Sequence, residues 1–444
     1  MAGLRSNRAW NLLLTGGTVS SVGDYVFDTT MVLWIAAVIA KGQSWAPAAV
    51  SGVLLAAAIP AILVGPAAGV FVDRWNQRRI MLVGDACRTV LILALLPLAW
   101  PSVSGHVGRP AELILIYAVL LVTSCFSQFF GPAKFAVMSG LVAEEDRARA
   151  GGLAMSTGAL AGIVGPPIAA PLLFIFGVQW ALIINALSFV FSFITIALVK
   201  LPPRGADVTE PAAPDFLGEF RAGVRFFATS RVLVAMAIGV VIATLGTGLI
   251  NAMNVFFVTD NLHVAAKWYG TMGAAEGIGA VLGGAATGLI AARIAPKQIF
   301  WGGLVLTGIL AVAYSRMSLL PPALVLLFLI GMVVGTLNGA ILPLILGATP
   351  QEMLGRVASV INPLQQVATV TSVVVAGLLA STVLRHLHKS FAGMTFGPYD
   401  TLFSIAGLLF IAGGLAAIPL LRTPPSPAPT PPPDPAARPD ETLS

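Results

Sequence analysis

Charged side chains are scarce in this sequence. Asp, Glu, Lys and Arg together make up 10% of the 444 residues, whereas 57% are hydrophobic. A soluble globule of this length needs more polar surface than these residues supply, so the composition excludes a water-soluble protein. With a mean hydropathy of +0.90, the chain is expected to be an integral membrane protein whose solvent is the lipid bilayer.

Cysteine and histidine are also rare, at two and four residues. Cys87 and Cys125 both lie in apolar segments, which argues against a disulfide framework or a thiolate metal site. The sequence shows no phosphate-binding loop, nucleophile–base set or metal-ligand cluster, so we expect no cofactor, no metal and no enzymatic activity. Basic residues outnumber acidic ones by six, but they are spread over short loops, and nucleic acid is not an expected partner.

Long apolar runs dominate the rest. Crossing roughly 30 Å of hydrocarbon takes about 20 residues, and runs of that length begin near Trp10, Pro47, Ile80, Ala111, Ala150, Gln179, Val232, Trp268, Gln298, Pro321, Val357 and Tyr399. The pattern predicts an all-α membrane protein of twelve transmembrane helices in two six-helix halves, residues 1–200 and 231–422. Residues 201–230 should form a cytoplasmic linker with an amphipathic helix, and residues 423–444 a Pro-rich, disordered tail.

The distribution of basic residues predicts the topology. When loops are assigned to alternating sides, 17 Lys and Arg fall on the side of the N-terminus and 6 on the other. The positive-inside rule then places both termini in the cytoplasm. The first apolar run is far longer than the core of a signal peptide, so we expect it to be retained as a helix.

A short internal similarity supports duplication of the halves. The segments that precede the fifth and eleventh runs align so that Glu145 matches Glu352 and Arg149 matches Arg356. Repeated six-helix halves are a known architecture of transporters.

The loop after the second run carries a recognisable motif. Gly69, Asp73, Arg74 and Arg78 stand in the order and spacing found in the major facilitator superfamily, which this sequence resembles, with Asn76 where a glycine is frequent. The resemblance implies alternating access and a contact at this loop that latches the two halves on the cytoplasmic side. The alternative is a basic loop that sets topology and holds one solvated acid.

The resemblance extends over most of the chain to twelve-helix drug-efflux members of the macrolide-efflux and enterobactin-exporter type. It rests on Gly23-Asp24, on Asp85 with Arg88, and on Gly355-Arg356-Val357. In the fifth run, Gly165-Pro166 is similar to the Gly-Pro motif of antiporters, although Ala169 and Ala170 replace the usual glycines. A Gly-Pro pair would bend this helix and let it pack closely on a neighbour.

Acidic residues inside apolar runs are the main candidates for function, because an ionisable group in a membrane helix is costly and marks a pathway or proton relay. Asp24 and Asp28 are four residues apart, which places both carboxyl groups on one helix face, where the pair can hold a proton. Glu276, among small residues of the eighth run, is the third candidate. Each acid could instead pair with a base or hydroxyl inside the bundle.

Other polar residues in the runs allow two interpretations. Asp85 and Arg88 are three apart and are expected to form an ion pair that supports the Asp73 loop. Five amide side chains could line a substrate cavity or form hydrogen bonds between helices: Gln128, Asn185, Asn251, Asn254 and Asn338.

These features together predict a monomeric secondary transporter in the cytoplasmic membrane of a bacterium. The favoured function is proton-coupled efflux of a small lipophilic compound, such as a drug, antibiotic or natural product. One alternative is a proton-linked importer of a small nutrient or natural product. A more remote one is a membrane-embedded enzyme or a receptor that transports nothing.

Overall fold

The computed structural model describes residues 7–100, 103, 106–199, 225, 230–349, 354–385, 387, 389–391 and 394–421. Twelve of its helices are long and apolar enough to cross a membrane, which confirms the predicted number. We call them spans 1 to 12. The predicted linker helix lies almost wholly outside the described residues, and the Pro-rich tail lies wholly outside them.

The bounds of the spans fall within a few residues of the predicted starts. In chain order, the helices are Arg8–Trp34, Ala46–Leu63 (continued as Gly65–Arg74), Gln77–Ala94, Arg109–Gly140, Arg147–Pro171, Val178–Leu198, Arg231–Phe256, Tyr269–Ala291, Pro296–Ser315, Leu320–Ala348, Leu354–Ser381 and Pro398–Leu421. Spans 1, 5 and 7 end in π-helical turns, Ile35–Ile39, Leu172–Phe176 and Phe257–Asn261. Two short antiparallel strands, β1 (Lys389–Phe391) and β2 (Met394–Phe396), precede span 12.

Local signals explain where several spans begin. The side chain of Asn7 accepts a hydrogen bond from the backbone N–H of Trp10 (3.1 Å), and that of Asn76 from Arg79 (3.0 Å), so each caps the first turn of its helix. Spans 5 and 6 are separated by Gly177, whose φ of +96° is a conformation that other residues rarely adopt.

The two halves repeat one packing pattern. In the first half, span 1 packs on spans 5 and 6, span 3 on spans 4 and 6, and span 2 on span 4. Each pair recurs six spans later: span 7 packs on spans 11 and 12, span 9 on spans 10 and 12, and span 8 on span 10. Between the halves, span 2 contacts span 11 and span 5 contacts span 8.

The halves meet at only one end of the bundle, as far as the described residues show. The backbone N–H of Ala48 donates to Ser381 Oγ (3.1 Å), which joins the start of span 2 to the end of span 11. A Cβ added to Gly270, at the start of span 8, would overlap the carbonyl of Pro166 near the end of span 5. At the opposite end, a Cβ on Gly152 or Gly288 would have no atom within 4 Å. The bundle is therefore closed at the end where span 1 finishes. It is open at the opposite end, where span 1 begins.

A seam of glycines holds spans 8 and 10 together. Added Cβ atoms on Gly279 and Gly283 of span 8 would collide with the carbonyl oxygens of Phe328 and Met332 in span 10. Gly335 of span 10 approaches span 8 in the same way. Such close approach of backbones is how membrane helices gain dispersion energy without a hydrophobic driving force.

Candidate functional site

Asp24 lies near the middle of the apolar segment Arg8–Ile39. The face of span 1 that carries it is fixed by Gly17, where an added Cβ would meet the ammonium group of Lys134 from span 4. Asp24 follows Gly17 by two helical turns and therefore points the same way. Arg88 and Lys134 both interact electrostatically with its carboxyl group.

Asp85 and Arg88 form a buried ion pair in span 3. Arg88 Nη2 lies 2.5 Å from Asp85 Oδ1, and the two side chains are 2% and 0% exposed. The guanidinium lies between the rings of Phe130 and Phe189, with its central carbon 4.4 Å from each ring centre. Stacking against two aromatic faces stabilises a cation that is excluded from water, so the position of this ion pair is fixed by its packing.

Asp28 lies one helical turn beyond Asp24 and is exposed, although it belongs to the middle part of a membrane span. Its neighbour Tyr25 packs on Gly162 and Gly165 of span 5, so span 5 adjoins this side of span 1. The face that carries Asp28 lies between the directions of spans 4 and 5. An exposed carboxyl group in that position is open to an incoming proton or substrate.

The fifth-span motif lies where three spans meet. A Cβ on Gly165 would collide with Tyr25 Cβ and lie 3.2 Å from the backbone nitrogen of Val26, so the glycine allows spans 1 and 5 to touch. The carbonyl of the next residue, Pro166, faces Gly270 of span 8. The motif thus joins the charged face of span 1 to the contact between the halves.

The charges of the first half do not balance. In this group, three acids (Asp24, Asp28 and Asp85) outnumber two bases (Arg88 and Lys134), so ionisation of all five leaves one negative charge, which a single proton would neutralise. Sequence reasoning left Lys134 without a role. The signal that could have identified it was present, since a lysine inside an apolar run requires a partner just as an acid does.

Glu276 is not brought together with these groups. It is half-buried in span 8, and the described residues include no ion pair to it. The carboxyl group of Glu276 interacts electrostatically with two tyrosines, Tyr269 and Tyr314. The hydroxyl of Tyr314 donates to Asn254 Oδ1 (2.7 Å), so Glu276 adjoins a hydrogen-bonded pair that links spans 7 and 9.

The loop motif makes contacts within the first half. Arg78 donates to the carbonyl oxygens of Ile196 (3.3 Å) and Ala197 (2.5 Å), a favourable place for a cation at the C-terminus of span 6. Arg74 is exposed, and the side chain of Asp73 is outside the described part of the chain.

Gly69 of the loop motif makes no close helix contact with the described residues. A Cβ added there would have no neighbour within 4 Å. The reason is that the motif lies at the open end of the bundle, where the halves diverge.

The five amides divide into three groups. Asn185 (0% exposed) lies beside Gly23 between spans 1 and 6, and Asn254 (6%) accepts a hydrogen bond from Tyr314, so in this conformation both are buried between helices. Asn251 is exposed. Gln128 lines a cavity of about 310 Å³ between spans 2, 4 and 11, and Asn338 lines one of about 190 Å³ inside the second half.

A larger cavity, of about 710 Å³, lies between spans 2, 3 and 4 near the loop motif. Its lining includes Phe126, Phe129 and the exposed Val83, with Arg79 as its charged residue. It is almost entirely apolar and is not lined by Asp24, Asp28 or Lys134.

Curated proteins with similar sequences include efflux pumps. The chain is 30% identical over 178 residues to macrolide efflux protein A of Streptococcus pyogenes, covering 40% of this chain and 42% of that protein. The match thus spans less than half of that relative's length. It is 26% identical over 345 residues to multidrug efflux pump Tap of Mycobacterium bovis, covering 76% of this chain and 79% of that protein.

Solved structures share the fold. A bacterial homologue of the iron transporter ferroportin, in its inward-facing state, superposes with a TM-score of 0.69 at 14% identity over 95% of this chain and 99% of that one. The nucleoside transporter NupG superposes with a TM-score of 0.67 at 11% identity over 94% of this chain and 100% of that one. The family model described as Major Facilitator Superfamily matches residues 13–372, and again 236–442. A match of that extent, on twelve spans packed as in solved transporters, shows that this chain belongs to the major facilitator superfamily.

Proposed function

We propose that this transporter exports a small lipophilic compound, such as a drug, antibiotic or natural product, in exchange for protons. The proposal rests on Asp24 and Asp28, whose carboxyl groups share one face of span 1. Lys134 of span 4 lies opposite the carboxyl group of Asp24. The names of two relatives, a macrolide efflux protein and a multidrug efflux pump, support the direction of transport.

The charge imbalance suggests how a proton could drive the cycle. Lys134 can compensate one of the two span 1 carboxylates, while Arg88 is held by Asp85. The carboxylate left over must take a proton or leave its low-dielectric surroundings before the bundle closes around it. Protonation would thereby favour one of the two access states, which is how an ion shifts a conformational equilibrium.

The orientation follows from the basic residues of the loops. With both termini in the cytoplasm of a bacterium, the open end of the bundle faces the cytoplasm, where an exporter takes up its compound. The contacts at Ala48–Ser381 and Pro166–Gly270 then close the outer side. In the opposite state we expect the Gly69–Arg78 segment, with Asp73 and Arg74, to latch the halves on the cytoplasmic side. We place the monomeric protein in the cytoplasmic membrane, with Glu276 as an assisting proton site.

Efflux of ethidium and erythromycin from cells that lack other pumps tests the carboxylates. Asp24→Asn and Asp28→Asn, at matched expression, should each reduce pH-gradient-driven efflux at least tenfold, whereas Glu144→Gln, an exposed acid in the loop before span 5, should not. Efflux by the double Asp24→Asn/Asp28→Asn variant that still follows the pH gradient would disprove the coupling assignment.

Direction is tested in proteoliposomes. The open end of the bundle faces one of the two compartments. An exporter with the proposed orientation moves the probe out of that compartment while protons flow into it. Probe accumulation on that side, driven by protons moving in the same direction, would identify an importer. If the purified protein carries no probe in either direction and cells show no efflux, the transport proposal fails and an enzyme or receptor must be considered.

A further inference from the structure

The second half contains a small cavity of about 190 Å³ that no step of the proposed proton cycle uses. Its floor is buried and comes from the outer spans 9 and 12, with the rings of Phe300 and Phe410. Its rim comes from spans 7, 10 and 11, where Thr244, Asn338 and Gln365 are half-buried or exposed. Since span 11 packs against span 2 of the other half, the rim lies on the side where the halves face each other.

The floor holds a hydroxyl group that lacks a partner. Thr307 is 2% exposed, and its Oγ1 makes no hydrogen bond within the described structure. A buried hydroxyl without a hydrogen bond is energetically unfavourable, and a ligand that bonds to Thr307 would remove that cost. An apolar ligand would leave that cost in place.

The rim offers hydrogen bonds of both kinds. Thr244 Oγ1 donates to the carbonyl of Val240 (2.8 Å) and Thr247 Oγ1 to that of Ala243 (3.0 Å), so both oxygens are left to accept bonds from the cavity. The amides of Asn338 and Gln365 can donate and accept. None of the residues lining the cavity is charged.

The size of the cavity restricts the ligand further. It is smaller than the roughly 300–1,000 Å³ of a site for a whole drug-sized molecule. At roughly 30 Å³ per water, it holds the equivalent of about six waters, which is room for one substituted six-membered ring. A ring with apolar C–H faces and hydroxyl groups on its edge matches two phenyl rings and several neutral polar groups.

We infer that this cavity binds one uncharged, hydroxylated ring of about hexose size, carried by an otherwise lipophilic substrate. The inference rests on the proposed transport function, for which it names a chemical class of cargo. It also separates the tasks of the halves, because the charged groups of spans 1, 3 and 4 handle the proton while spans 7, 9, 10 and 11 recognise the neutral ring.

Binding to the purified full chain in nanodiscs tests the inference. The probes are 4-methylumbelliferyl β-D-glucoside and 7-ethoxy-4-methylcoumarin, which share the aromatic part and differ in the sugar. Wild-type protein should bind the glucoside at least tenfold more tightly than the ether. Thr307→Val and Asn338→Leu should each reduce that preference at least fivefold and leave ether binding within twofold. Thr382→Val, which changes an exposed threonine bonded to the carbonyl of Leu378 at the end of span 11, is the matched control and should keep the preference.

The outcomes separate the inference from the proposed function. Equal binding of the two probes by wild type, or an unchanged preference in both cavity variants, overturns the ring site even if ethidium efflux is proton-coupled. A preference that depends on Thr307 and Asn338 supports the site, including in a protein whose efflux proves independent of protons. Should Thr307→Val fold poorly, Asn338→Leu decides alone, because its side chain is exposed at the rim.

Discussion

Removing the charge of Arg88 should destabilise the first half severely. Arg88→Gln leaves the carboxyl group of Asp85 at 0% exposure without its cation, and breaking a buried ion pair in this way costs about 3–5 kcal/mol. The guanidinium also leaves the rings of Phe130 and Phe189, at about 1–2 kcal/mol for each desolvated contact. Together these costs predict a loss of at least about 5 kcal/mol in the free energy of unfolding.

The double variant Asp85→Asn/Arg88→Gln provides the decisive comparison. It removes both charges, so the cost of the stranded carboxylate disappears and only the loss of ring contacts remains, at about 2–4 kcal/mol. The double variant should therefore be about 3–5 kcal/mol more stable than Arg88→Gln alone. Arg79→Gln, in which an exposed arginine of the same span is changed, is the control and should be close to wild type.

Unfolding by SDS in mixed micelles, followed by tryptophan fluorescence, measures these differences. If the double variant is no more stable than Arg88→Gln, the ion pair is not what makes Arg88 important. If Arg88→Gln unfolds like wild type, the buried pair does not contribute to stability as the geometry requires.

Three further changes test the packing of the bundle. Gly283→Val should separate spans 8 and 10 and abolish the monodisperse peak in size-exclusion chromatography, whereas Gly288→Val, with no atom within 4 Å of its added Cβ, should elute like wild type; equal behaviour would contradict the seam. Cysteines at Ser51 and Gly377 would have Cβ atoms 2.8 Å apart, so spans 2 and 11 must separate slightly to reach the usual disulfide Cβ separation of about 3.5–4.5 Å. The disulfide should then stop transport until reductant is added. Transport that continues in the crosslinked protein would show that the closed end need not open. Tyr314→Phe removes the 2.7 Å bond to Asn254 and should lower the free energy of unfolding by about 1–3 kcal/mol; no change in SDS unfolding would show that Asn254 finds another partner.

Sequence reasoning succeeded where one helix alone decides the answer. The number of spans follows from the length of apolar runs, and the shared face of Asp24 and Asp28 follows from helical spacing, since both are properties of a single segment. The ion pair of Asp85 and Arg88 is also local, because residues three apart on a helix are neighbours.

It failed where two helices meet. The sequence of span 4 contains nothing that shows which helix Lys134 contacts, and the structure places its ammonium group against span 1 at Gly17. Asn185 and Asn338 are both amides within apolar runs, so the sequence does not distinguish them. In the structure, Asn185 packs against Gly23, whereas Asn338 lines a cavity. The loop motif likewise indicates a contact between the halves that the described residues of the loop do not show, and a Cβ added to Gly69 has no neighbour within 4 Å.

The glycine seam also bears on how the chain is made. Span 8 has the lowest hydropathy of the twelve, 1.4, and carries Glu276, so it enters the bilayer as a marginal segment. Its partner, span 10, is synthesised about fifty residues later, and in that interval Gly279 and Gly283 of span 8 have no helix to dock against. A translocon or insertase would have to hold span 8 until Gly331 and Gly335 of span 10 are synthesised and inserted. Defects in the seam should therefore be detected first as arrested biogenesis and proteolysis in the cell, before any purified protein reveals a loss of stability.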